Sequence, residues 1–134
     1  MNAEQLEVEI FGLERVESGL TAERIRQIVE VTLIAANGLS GHLAVEFVSV
    51  DEMHRRNREF RGIDKPTDVL SFPIDGTDTV DGPRELGDIV ICPEHTVDLD
   101  ETVVHGTLHL LGMDHEVDGG EMLALQDQIV GQLK

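Results

Sequence analysis

An apolar segment at residues 103–115 limits the structure of this chain more than any other part of its sequence. On a helix, His105 and His109 lie four residues apart, so both rings leave the same face one turn apart. Gly112 stands where a helix ends with a left-handed residue, a conformation that glycine adopts without a steric penalty from Cβ. The chain can then reverse and bring His115 to the same place. The flanking apolar residues predict that this helix is buried: Val104, Leu108 and Leu111.

Three imidazoles that meet in an apolar environment need partners, because an unpartnered buried polar group costs several kcal/mol. One alternative is that each histidine makes its own hydrogen bond, as we expect for the other three: His42, His54 and His95. The combined spacing of His105, His109 and His115 instead favours a bound metal ion. Three protein nitrogens leave a fourth position open, which is typical of catalytic zinc sites. Neutral imidazoles favour one Zn²⁺ per chain, with nickel, iron or manganese as alternatives.

The same offsets occur in zinc peptidases of the pattern H-E-x-x-H-x-x-G-x-x-H. In this chain Gly106 stands where those enzymes carry a glutamate. That glutamate is the general base for amide hydrolysis, and glycine cannot replace it. The sequence therefore retains the metal-binding geometry and argues against a peptidase.

Hydrophobic periodicity along the rest of the chain predicts strands interleaved with helices. Strands are expected at residues 6–11, 42–50, 69–73 and 85–92. Helices are expected after an N-cap at Thr21, at 51–60, at 101–111 and after 119–120, with Asn37 and Gly38 ending the first. We therefore predict one layered α+β domain over residues 1–134, with about four mixed strands and four to five helices. The metal site belongs to the buried helix and the turn after it.

The sequence also bears on where the protein works. It has no apolar run near the roughly 18 residues needed to cross a bilayer, so we expect no membrane contact. Its first residues lack a basic start followed by an apolar stretch, so we expect no secretory signal. Cys92 is the only cysteine, which forbids an internal disulfide, and its apolar surroundings predict a buried strand thiol. These features predict a cytoplasmic protein.

Charge is distributed unevenly. The formal net charge of −17 argues against nucleic acid, since phosphate binding relies on lysine and arginine. Half of the ten basic residues, however, fall within residues 55–65. This basic island is either a solvated helix face or a binding surface, and it consists of Arg55, Arg56, Arg58, Arg61 and Lys65.

Three motifs together resemble the YbeY family of bacterial endoribonucleases. The first runs from Asn57 through Phe60-Arg61-Gly62 and Pro66-Thr67-Asp68 to Pro73. The second is residues 86–92, and the third is the histidine segment; all three stand in the order and spacing of the family between residues 57 and 116. The resemblance implies that the three histidines are zinc ligands and that Arg61 is the functionally important arginine.

The resemblance further implies a zinc-dependent endoribonuclease specific for single-stranded RNA, acting in 16S rRNA 3′-end maturation and ribosome quality control. The implied partners are ribosomal RNA and the ribosome or a ribosomal protein. The chain has no tyrosine or tryptophan, so only Phe60 or Phe72 can stack on bases, and both are expected in the core. We therefore expect RNA recognition by stacking to be weak.

Two other functions fit the histidines equally well. One is a metallohydrolase of a different substrate, because the histidines do not themselves specify RNA. The other is a non-catalytic module that docks on the ribosome and uses zinc as a structural staple. A fourth protein ligand such as Asp114 would favour the staple. For Arg61, the alternative to phosphate binding is a surface salt bridge with Glu59 or Asp64.

Overall fold

A four-stranded mixed sheet forms the centre of the structure, a computed structural model that describes residues 6–36 and 40–134. The strands lie in the order β1-β2-β4-β3. β2 is parallel to both β1 and β4, whereas β3 is antiparallel to β4 and forms one edge. The strands are β1 (Glu7–Phe11), β2 (His42–Phe47), β3 (Val69–Pro73) and β4 (Glu85–Ile91).

Helices cover both faces of this sheet. Three of them, α1, α3 and α4, pack together on one face, and α3 also contacts β3 and β4. The opposite face carries a smaller apolar cluster to which α2 contributes Met53. Two short 3-10 helices lie at residues 13–15 and 93–95. The longer helices are α1 (Ala22–Ala36), α2 (Val50–Arg61), α3 (Leu99–Leu110) and α4 (Glu121–Leu133).

Helix α3 lies in the middle of the main core. Val103, Val104 and Leu108 have no exposed surface and pack with apolar residues of the sheet, α1 and α4. Because this helix is held on several sides, its two histidines are presented from a fixed backbone. Cys92 is fully buried, as expected, and burial raises the pKa of its thiol.

Side-chain caps set where the helices begin. The Thr21 hydroxyl accepts a hydrogen bond from the Arg24 amide at 3.1 Å, which confirms the predicted N-cap of α1. Ser49 caps α2, so the strand predicted at residues 42–50 ends at Phe47. Asp98 caps α3, which therefore begins at Leu99 and not at residue 101.

The predicted α+β class, with a mixed four-stranded sheet and four α-helices, is confirmed. The predicted end of α1 at Asn37 and Gly38 lies outside the described residues. Within the described ranges, no helix combines the length and the apolar character that crossing a membrane requires.

Candidate metal centre

Three histidines converge where α3 ends. The helix closes with amide hydrogen bonds from Leu111 and Met113 to the Leu108 carbonyl, and Gly112 takes the left-handed conformation at φ 88°. The chain then reverses, so that the His105 and His115 ring centres lie 5.0 Å apart. One nitrogen from each of the three histidines lies within 4.8 Å of the others. The structure thus brings together the three residues that the sequence spacing selects.

Hydrogen bonds fix the orientation of the two helical histidines. His105 Nδ1 lies 2.8 Å from Gln126 Oε1, and His109 Nδ1 lies 2.9 Å from the Met113 carbonyl oxygen. Both Nδ1 atoms face acceptors, so each neutral ring carries its proton on Nδ1. The two Nε2 atoms, 3.1 Å apart, then direct their lone pairs toward one another. Two lone pairs that face each other repel unless a cation accepts both, so the donor set fits a metal ion.

Gln126 holds His105 through a contact that the sequence analysis missed. Its amide nitrogen donates to Glu101 Oε1 at 3.2 Å, which leaves its oxygen to accept from His105. Gln126 is only 5% exposed, on the face of α4 that also buries Met122 and Ile129. A glutamine one turn after Met122, within an otherwise apolar helix face, was the signal available in the sequence.

The electrostatics of His109 also suit a ligand. Burial lowers the pKa of His109, and the neighbouring His105 and His115 lower it further. A lowered pKa keeps the imidazole neutral at pH 7, and a metal requires the neutral form.

Gly106 has a packing role that the sequence pattern does not reveal. A Cβ at this position would lie 2.6 Å from Ile89 Cγ2 and 3.3 Å from Ser71 Oγ. The Ser71 hydroxyl also donates to the Gly106 carbonyl at 3.0 Å. The glycine therefore allows α3 to approach the sheet closely, and a glutamate side chain has no room there.

The structure places Arg61 at the last position of α2 and on the wall of the same cavity as the three histidines. The cavity has a volume of about 630 Å³. Its other charged lining residues are acidic: Asp68, Asp114 and Glu116. Arg61 is thus a cation in a cleft with carboxylates and imidazoles.

The two acids that could have paired with Arg61 are engaged elsewhere. Glu59 contacts Arg55 at 2.6 Å, and Asp64 contacts His54 at 2.8 Å. Among the described residues, the Arg61 guanidinium has no hydrogen bond or ion pair. The alternative, a salt bridge from Arg61 to Glu59 or Asp64, does not form among the described residues, and the guanidinium is available to an anion.

Much of the basic island is neutralised internally. Arg55 and Arg56 share Glu52, and their hydrogen bonds lower the pKa of that carboxyl to about 2. Arg56 also contacts Glu46 at 2.8 Å. Lys65, like Arg61, has no side-chain partner among the described residues. The positive charge available to a ligand is therefore concentrated at the end of α2 and in the following loop.

Phe60 contradicts the expectation of a core residue. Its side chain is 60% exposed and lines the same cavity as Arg61 and the histidines. Phe72 is half-buried and also lines this cavity.

The remaining histidines are not part of the cluster, and two of them pair with carboxylates. His42 bridges Glu9 and Glu85 at 2.6 and 2.7 Å, and these hydrogen bonds, chiefly that to Glu85, raise its pKa. His54 pairs with Asp64. His95 is exposed in a short 3-10 helix.

These observations define an α+β protein with a cluster of three histidines on the wall of an open cleft. The family described as Endoribonuclease YbeY matches residues 12–134. The chain belongs to this family. An Endoribonuclease YbeY from Aliarcobacter butzleri is 34% identical over 145 residues, covering 99% of this chain and 89% of the relative. Another, from Koribacter versatilis, is 43% identical over 111 residues, covering 74% and 69%.

Comparison of structures agrees with this family relationship. A protein from Thermotoga maritima, solved in solution, is similar with a TM-score of 0.58 and 28% sequence identity. The similarity covers 94% of this chain and 88% of that protein. The common fold therefore includes the region that carries the histidines.

Proposed function

We propose that this protein is a zinc-dependent endoribonuclease that cleaves single-stranded RNA. One zinc per chain is held by His105, His109 and His115. The observation that carries the proposal is the pair of Nε2 lone pairs directed at one point, each set by a hydrogen bond at Nδ1. The family relationship supports RNA as the substrate.

When bound in a site of this kind, zinc lowers the pKa of water and polarises a phosphoryl oxygen. The chain's own residues supply the remaining requirements. Arg61 presents a planar guanidinium that can contact two phosphate oxygens at once. Gln126 keeps the His105 Nδ1 proton in place, and the Met113 carbonyl does the same for His109.

The surroundings of the cluster favour an enzyme over a structural staple. Among the described residues, the group able to hold a metal contains three histidines and no fourth ligand. Asp114, the acid expected to close the site in a staple, accepts a hydrogen bond from the Glu116 amide at 2.9 Å. The cavity beside the histidines is large enough for part of a polymeric substrate.

We further propose that the substrate is ribosomal RNA, with action in 16S 3′-end maturation and ribosome quality control in the cytoplasm. Family membership supports this role. The small number of available cations also fits a protein that reaches its RNA through a docking partner. An acidic body with so few free cations binds free RNA weakly, so a docking partner such as the ribosome or a ribosomal protein would raise the effective affinity.

Zinc content and RNA cleavage test the proposal together. We expect about one zinc per wild-type chain and metal-dependent cleavage of single-stranded RNA, because three imidazoles complete the protein part of a catalytic site. His109→Ala should lose both, since two imidazoles bind zinc far more weakly than three. His95→Ala is the matched control and should retain both. Full zinc content in a His105→Ala/His109→Ala variant would contradict the metal site, and zinc without RNA cleavage would contradict the substrate.

A further inference from the structure

One exposed aromatic ring stands out because of where it lies. The described residues include seven large apolar side chains that are exposed: Phe11, Ile34, Phe60, Ile74, Val97, Val117 and Leu123. Single exposed apolar residues are normal on protein surfaces. Of these seven, only Phe60 lines the cavity that contains the histidines and Arg61. Its exposure therefore coincides with the proposed active site.

The ring is also supported from behind. Phe72 meets Phe60 edge to face, with ring centres 5.3 Å apart and planes at 71°. Phe72 in turn packs against the smaller apolar cluster, which includes Met53 and Cys92. Edge-to-face contact is a favoured aromatic arrangement, and the 60% exposure of Phe60 shows that much of its surface stays free. Phe60 is thus a held, solvent-facing aromatic surface.

The neighbouring charge indicates what this surface binds. Arg61 follows Phe60 in the chain, lines the same cavity and has no anionic partner among the described residues. A planar apolar surface beside a free cation is complementary to a nucleotide, which offers an apolar base face and an anionic phosphate. The apolar side chain of a protein partner would match the ring and leave the cation without a counterpart.

We infer that Phe60 is a stacking site for one nucleobase of the RNA, next to the phosphate contact of Arg61. This inference rests on the proposed function. Stacking uses the base face, which A, C, G and U share, so the site does not select sequence. It does require a base that is free of its neighbours in a helix, and therefore favours single-stranded over duplex RNA. The inference thus gives base stacking a direct part in recognition and departs from the expectation, drawn from composition, that stacking is weak.

The test uses short single-stranded RNAs that carry 2-aminopurine at successive positions. Stopped-flow mixing with the zinc-loaded protein reads binding before cleavage. We expect fluorescence quenching at one position with wild type and with Phe60→Tyr, because both keep an aromatic ring. Phe60→Leu should lose the quenching and bind about 5- to 150-fold more weakly, the range for removing one base–aromatic stack.

Phe11→Leu is the matched control, because Phe11 is 50% exposed and lies outside the cavity. It should bind and quench like wild type. An RNA that is abasic at the quenched position should bind wild type and Phe60→Leu equally, which separates stacking from damage to the fold. Unchanged RNA binding by Phe60→Leu would overturn this inference alone and would favour a protein partner as the group that contacts the ring. Absence of both RNA binding and cleavage in wild type would overturn the proposed function as well.

Discussion

Arg61 shows how the role of a single residue depends on what its neighbours bind. Its charge is one of five in the basic island, yet Arg55 and Arg56 are held by Glu46, Glu52 and Glu59. The guanidinium of Arg61 remains available, and it lies in the cavity of the histidines. Its position and its lack of a partner among the described residues therefore distinguish it from the other arginines of the basic island.

Arg61→Lys should reduce the rate of RNA cleavage strongly while zinc content and fold remain unchanged. The substitution keeps the charge and removes the planar fork that, in the proposed function, contacts two phosphate oxygens. Losing one charge-assisted hydrogen bond in the transition state costs about 1.5 to 3 kcal/mol, or roughly ten- to a hundred-fold in rate. Arg58→Lys is the control, since Arg58 is exposed and outside the cavity lining. Equal rates for both variants and wild type would remove Arg61 from the mechanism.

Gln126 acts as a positioning residue through its hydrogen bond to His105. Gln126→Leu removes the acceptor at Nδ1 and should weaken zinc binding by roughly ten- to a hundred-fold, measured by competition with a chelator. The thermal midpoint of the metal-free protein should change much less. Gln128→Leu, at an exposed position of the same helix, is the control.

A double variant distinguishes positioning from packing. Glu101→Gln/Gln126→Glu exchanges the amide and the carboxylate and keeps an acceptor facing His105. We expect zinc affinity at least equal to that of wild type, because a carboxylate makes the ligating ring more basic. Affinity as low as that of Gln126→Leu would show that the contact only fills space.

At the scale of elements, the close approach of α3 to the sheet determines where the histidines lie. Gly106 permits this approach, since a Cβ would lie 2.6 Å from Ile89 Cγ2. The turn after α3 then depends on Gly112, whose φ of 88° few other residues tolerate. Two glycines in one segment therefore serve separate purposes, one in packing and one in chain reversal.

Gly106→Ala should lower the free energy of unfolding by about 1 to 3 kcal/mol, because the added methyl overlaps a buried side chain. Gly131→Ala is a matched control in α4, where a Cβ meets no atom within 4 Å. It should raise stability by up to about 1 kcal/mol, as expected for a helical glycine in open space. Chemical denaturation measures both. Similar changes in the two variants would contradict the packing role.

Gly106→Glu should be destabilised further and should not become a peptidase. The new side chain has no room beside Ile89, so it cannot act as a base without moving α3. Casein hydrolysis and denaturation measure the outcome. Efficient hydrolysis by wild type would contradict the ribonuclease assignment, and efficient hydrolysis by the variant alone would contradict the lack of room for the glutamate.

At the scale of the whole molecule, net charge opposes RNA binding. The chain carries 27 acidic and 10 basic residues. The cations of the basic island that are least engaged are Arg58, Arg61 and Lys65, since Arg58 has only an exposed contact of 4.0 Å to Asp64. A long electrostatic track for RNA is therefore absent from this part of the described structure.

The affinity for single-stranded RNA should accordingly be low and only moderately dependent on salt. Three phosphate contacts predict a slope of about −2 for log K against log salt concentration. Lys65→Gln should reduce the slope by roughly 0.7, the contribution of one phosphate on a single strand. Arg15→Gln, in a separate cavity, should leave it unchanged. A slope near −8, on the same scale of about −0.7 per phosphate, would mean that positive charge acts elsewhere on the molecule.

Features that depend on neighbours within one or two helical turns could be predicted from the amino-acid sequence. Helical periodicity places His105 and His109 on one face whatever surrounds them, and the conformational freedom of Gly112 allows the turn that returns His115. The alternation of apolar residues in β1 and β2 likewise needs no distant partner. For this reason the α+β class and the histidine cluster were predictable.

Features for which residues distant in sequence compete became visible only in the folded chain. From the sequence, Glu59 and Asp64 were both plausible partners of Arg61. In the structure, Glu59 pairs with Arg55 and Asp64 pairs with His54. The contact of Gln126 with His105 joins residues 21 positions apart, and the exposure of Phe60 depends on how α2 lies against β3. The strand order β1-β2-β4-β3 likewise depends on contacts between residues that are distant in sequence. Such choices depend on which of many alternative contacts form together, and local propensity does not encode that competition.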